Sequence, residues 1–104
     1  MPATMREVAR VIRSKNAGPF IFTFDIMFRD AATFAAVQEA GHIDRAAVAR
    51  AYGLSANEVL SFEWHGFANA VKFSIRRDVA SGGVGDSDVY GAQQHAPLLD
   101  LRAL

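Results

Sequence analysis

Residues 20–28 read FIFTFDIMF. Phe20, Phe22, Phe24, Ile26 and Phe28 fall on one face of an extended strand, and Ile21, Thr23, Asp25 and Met27 on the other, because side chains of a strand alternate between its faces. The first face is wholly apolar and has to be covered. The second carries a carboxylate at its centre. This asymmetry predicts a sheet with one face on a core and the other polar. Asp25 is the informative residue, since a carboxylate inside an apolar strand is disfavoured. If covered, it must be paired or hold its proton more tightly than usual.

The same alternation returns further on. Leu60, Phe62 and Trp64 alternate with Ser61 and Glu63, and Val71, Phe73 and Ile75 alternate with Lys72, Ser74 and Arg76. His65-Gly66-Phe67 reads as the turn of a hairpin between them. If Phe22, Phe24, Phe62, Trp64, Phe73 and Ile75 face the core, the opposite face is Thr23, Asp25, Ser61, Glu63, Lys72, Ser74 and Arg76. Lys72 or Arg76 is then the natural partner of Asp25. Such a face is either a solvated surface, with cross-strand pairs contributing roughly 0.2–1 kcal/mol each, or a polar pocket lidded by the tail or a partner.

Helix signals fill the remaining space. Thr4 and Glu7 fit a capping box, and Met5, Val8, Ala9 and Ile12 follow at helical spacing, which predicts a helix ending near Ser14. Asp30 predicts a helix to about Ala40 closed by Gly41, and Asp44 one to about Tyr52 closed by Gly53. Ser55 and Glu58 form another capping box, after which the period changes to that of a strand. Past Arg77 the periodicity stops, and residues 81–88 (SGGVGDSD) are a loop by composition. The tail VYGAQQHAPLLDLRAL is too apolar to hang free and is expected to dock. Together these elements predict one α+β domain over residues 1–104, irregular from about 78. Its two layers would be a small, largely antiparallel sheet of about three strands, with a possible short tail strand, packed on three helices.

Composition narrows the function. The 104 residues suffice for one domain with its own core, and 51% are hydrophobic. Eleven basic residues balance eleven acidic ones, so there is no electrostatic footprint for nucleic acid or an anionic membrane. The absence of Cys excludes disulfides and thiolate chemistry, the three His are scattered, and neither metal nor cofactor is expected. No apolar h-region and no spanning helix is visible, which makes the cytoplasm the expected location. AAVARAYGLSANEV (46–59) imitates a helix-turn-helix, but the period turns to two where a recognition helix should continue. Neither a Walker loop, nor a dinucleotide fingerprint, nor a nucleophile elbow is present.

Two stretches hold more polar chemistry than packing requires. RSKNAGPF (13–20) joins the first expected helix to the first strand, with Arg13, Ser14, Lys15 and Asn16 before Gly18-Pro19. A Gly-containing turn with two cations can hold phosphate or carboxylate, whereas Asn16 in the left-handed conformation could simply close the helix. In the tail, His95 stands beside Gln93 and Gln94, amides able to orient its ring for proton transfer; its plainer role is a ring bonded to backbone.

IRSKNAGPF with the following TFDIMF, KFSIRR, and DVYGAQQHAPLL together resemble a small, functionally uncharacterised family found beside, or fused to, AtuA-type acyclic terpene utilisation proteins. The likeness runs over nearly the whole chain in the same order, and Arg77-Asp78-Val79 departs from the family's pattern after the third strand. It implies an accessory domain or small subunit of an AtuA-type protein. The setting it implies is hydratase- or lyase-like breakdown of branched or unsaturated carboxylic acids or their acyl-CoA thioesters, within a homo- or hetero-oligomer. It also raises the expectation that the two blocks meet, with His95 and Asp25 as catalytic candidates. Arg13, Ser14, Lys15, Asn16, Lys72, Arg76, Gln93 and Gln94 would hold the ligand. The alternative is a non-catalytic module whose blocks form a subunit interface.

Overall fold

The apolar face of residues 20–28 is covered, but by a different set of elements from those expected. The structure, a computed structural model, describes residues 2–18, 20–76 and 97–104. In order, the elements are α1 (Met5–Val8), β1 (Ala9–Gly18), β2 (Ile21–Phe28), α2 (Ala31–Ala40), α3 (Arg45–Tyr52), β3 (Val59–His65) and β4 (Ala70–Arg76). Short 3-10 turns, Ala56–Glu58 and Gly66–Ala68, lead into and out of β3. The sheet is antiparallel throughout, in the order β1-β2-β4-β3. The fold is α+β, with four strands where about three were expected.

The fourth strand is cut from the expected first helix. The Thr4–Glu7 box does start a helix, with the Glu7 carboxylate accepting from the Thr4 backbone N–H at 2.8 Å. One turn later, at Ala9, the chain becomes extended. Val11 and Ile12 are β-branched and fit a pleated surface better than a helix. Tertiary pairing then decides, because β2 would otherwise leave one edge open. Ile12 pairs with Ile26, and Ser14 with Phe24. Asn16 is therefore no helix cap; it pairs with Phe22 in the ladder.

The two remaining helices stand as the sequence indicates. The Thr33 N–H donates to the Asp30 carboxylate at 2.8 Å, and the Ala47 N–H to that of Asp44 at 2.8 Å. Gly41 and Gly53 end the helices with φ of 76° and 69°, a region that costs side-chain-bearing residues roughly 1–2 kcal/mol. The Ser55 N–H donates to Glu58 at 3.0 Å, ending the helical layer before β3.

The core lies between this layer and the sheet. Phe24, Ile26, Val71, Phe73, Ile75, Val37 and Val48 are fully buried; each burial contributes roughly 1.5–3 kcal/mol. Phe24 and Phe73 stack at 5.0 Å, Phe73 and Phe62 at 6.1 Å, and Tyr52 of α3 reaches Phe24 at 5.5 Å. Two apolar residues leave the expected pattern. Phe20 lies outside β2, in the turn, with φ 65° and 47% exposure. A register shift between Val59 and Ser61 throws Leu60 outward and gives Val59 its place in the core.

The last residues dock, as their apolarity suggested. Leu98 and Ala103 are fully buried. The Met5 N–H donates to the Leu101 carbonyl at 2.8 Å, and the Ala103 N–H to that of Ala3 at 2.8 Å. The possible tail strand amounts, among the described residues, to the single bridge Thr4–Arg102.

Two expectations follow. Leu98→Ala should cost about 2–5 kcal/mol in urea unfolding. Asp100→Ala, which removes an exposed 3.3 Å ion pair with Arg6, should stay within about 0.5 kcal/mol. The second concerns acid. The backbone and hydroxyl of Thr33 hold the Asp30 carboxyl below its ordinary value, and those of Ser55 do the same for Glu58. Groups with a depressed folded pKa add stability above their unfolded pKa and lose it as pH falls through the folded one. An Asp30→Asn, Glu58→Gln double variant should therefore lose less thermal stability than the parent between about pH 6 and about pH 3.

Candidate functional site

The register that buries the aromatic row dictates what stands on the opposite face. Arg13 pairs with Asp25, Asp25 with Lys72, and Lys72 with Glu63, giving a row across all four strands that alternates in sign. Beside it runs a hydroxyl row, in which Lys15 pairs with Thr23, Thr23 with Ser74, and Ser74 with Ser61. A third row, Val11, Met27, Ala70 and His65, is apolar except at its last member. The expected polar face is thus present, and β1 adds Arg13 and Lys15 to it.

Not all of these charges are partnered. The Lys72 ammonium, one of the two partners expected for Asp25, lies 4.0 Å from its carboxylate. The Glu63 carboxylate instead lies 3.1 Å from His65 Nε2. Thr23, only 9% exposed, shares a 2.9 Å hydrogen bond with the Ser74 hydroxyl. Arg13 and Lys15 of β1 are exposed, and among the described residues neither makes a hydrogen bond or an ion pair. Arg13, Ser14, Lys15, Thr23 and Asp25 line one hollow of about 330 Å³, half open to solvent.

Of the residues expected from sequence, the ligand candidates Arg13, Ser14 and Lys15 and the catalytic candidate Asp25 are therefore brought together. Thr23 belongs with them, and its place beside Asp25 in an alternating strand was the signal. Lys72 adjoins through Asp25, and Arg76 sits opposite Ile21 at the far end of β4. The expected phosphate-cradling turn is not there, because residues 13–18 are strand. An extended strand sends successive N–H groups to opposite sides, so they cannot converge on one anion; side chains carry the charge instead. His95, Gln93 and Gln94 lie outside the described residues. Among the described residues no three His, Asp or Glu cluster to hold a metal, and no helix is long and apolar enough to cross a membrane.

Fold and face together define a small α+β domain that covers one side of its sheet with helices and carries an ordered polar array on the other. Residues 5–102 match the family described as a domain of unknown function (DUF4387), and the chain belongs to it. No curated protein and no solved structure shows significant similarity to the chain.

Asp25 and Lys72 are partly exposed and just within pairing distance. Asp25→Asn should therefore shift urea-unfolding stability by no more than about 1 kcal/mol. A markedly larger loss would make Asp25 a structural residue first.

Proposed function

We propose that this domain is an accessory or small subunit of a larger AtuA-type protein. The pair would work in the cytoplasm, in hydratase- or lyase-like breakdown of branched or unsaturated carboxylic acids or their acyl-CoA thioesters. The subunit's part is to hold the anionic end of the substrate. One observation carries this reading: two cations without protein partners among the described residues line the same hollow. Exposed cations are ordinarily solvated, but these converge on a buried hydroxyl and the one carboxylate of the strand. The likeness of IRSKNAGPF and DVYGAQQHAPLL to the AtuA-associated family supplies the partner.

The second reading is an interaction module whose blocks form a subunit interface. Phe20 favours it, since a half-exposed aromatic at the end of the same block suits a protein surface. Co-purification with the neighbouring AtuA-type protein separates the two. If the block is a site, Lys15→Ala and His95→Ala should leave assembly intact, and turnover of unsaturated acyl-CoA thioesters should fall about tenfold or more, the loss of one charge-assisted contact. Lost assembly in either variant would select the interface. A parent chain that never co-purifies would sink both.

A further inference from the structure

We infer that the hollow between β1 and β2 takes a doubly charged phosphate group, terminal on a larger molecule, in preference to a carboxylate. The inference rests on the anion-holding reading above, but not on the identity of any partner subunit.

Charge and shape carry it. The carboxylates nearest the hollow are already engaged, Asp25 with Lys72 at 4.0 Å and Glu63 with His65 at 3.1 Å. Arg13 and Lys15 are left with two positive charges two positions apart on one strand. A carboxylate would neutralise one of them and offer two oxygens. A phosphate monoester brings close to two negative charges and three acceptor oxygens. An Arg fork and a Lys point charge are the usual pair for such an ion. A third donor stands ready. If the Ser74 hydroxyl donates to Thr23 Oγ1 across their 2.9 Å contact, the Thr23 proton is left for a ligand in the hollow that Thr23 lines. The hollow is half open, so only the charged end of a ligand need enter. Asp25 in its lining disfavours a second anionic group beside the first, which suits a single terminal phosphate.

The test is an NMR shift titration of the full chain at constant ionic strength. The probes are inorganic phosphate, glycerol 3-phosphate, sulfate and acetate, each near pH 7.5 and pH 5.5. Phosphate should move amides of β1 and β2 and bind about tenfold tighter than acetate at the higher pH. Glycerol 3-phosphate, a monoester that takes up its second proton near pH 6, should bind more weakly at the lower pH, and inorganic phosphate likewise, whereas sulfate, which stays doubly charged, should not weaken. The charged groups on the face are Arg13, Lys15, Asp25, Lys72, Arg76, Glu63 and His65. Protonating Asp25, Glu63 or His65 makes the face more positive, so these groups cannot produce weaker binding at low pH. Arg13→Gln and Lys15→Gln should each lose about tenfold, and Thr23→Val a few-fold, with unchanged spectra elsewhere showing that the variants fold. Glycerol 3-phosphate binding as well as inorganic phosphate, or better, supports a terminal group; binding tenfold weaker would point to the free ion and overturn that part. Acetate matching phosphate, or no response in β1 and β2, overturns the ligand class. Phosphate binding without co-purification would retain the hollow and sink only the accessory-subunit reading. Assembly and turnover with no phosphate response would sink only this inference.

Discussion

The stack of Phe62, Phe73 and Phe24 across β3, β4 and β2 fixes the register on which both faces depend. A strand repeats every two residues, so a slip of one position exchanges its faces completely. Here a slip would bring Asp25, Lys72 and Glu63 under the helices and put the rings in water. Burying unpaired charge costs several kcal/mol per ion, so that alternative is closed. The polar array is thus a direct consequence of aromatic packing. Tyr52 of α3 joins the same stack and ties the helical layer to that register.

β1 adds what the other strands lack. Without it, β2 would be an edge strand, and the row beginning at Asp25 would hold two carboxylates against one cation. With it, the face gains Arg13 and Lys15 at one end, and β1 becomes the edge. Cations on an edge strand also discourage pairing with other chains, so the same residues serve solubility whether or not they hold a ligand. Arg45 completes the protection on the far side, where its guanidinium donates to the Val59 carbonyl at the register shift of β3.

Most of this was legible in the sequence where one signal acted alone. The alternation in residues 21–28 and 70–76, the Asp caps and the Gly stops all describe local physics, and each has its counterpart. The polar face followed from the same alternation, and of the two partners it allowed for Asp25, Lys72 and Arg76, the structure selects Lys72. Reading failed where two signals competed. Met5, Val8, Ala9 and Ile12 satisfy a helical period, yet only the first two stay in the helix, because the open edge of β2 recruits the rest as strand. That misreading placed Arg13 and Lys15 in a turn and hid their alignment with Asp25 and Thr23. Leu60 failed for a smaller reason: a single extra residue at a bulge reverses the phase of everything before it.

The contact between residues at the two ends of the chain has a geometric consequence for any fused or tethered neighbour. The Ala103 N–H meets the Ala3 carbonyl at 2.8 Å, so polypeptide attached on either side departs from one corner. That corner adjoins α1 and the start of β1, where Ala9 stands opposite Phe28. Lys15 lies six residues along the strand, about 20 Å away. A covalent attachment at either end would therefore start from this corner, apart from the residues that line the hollow.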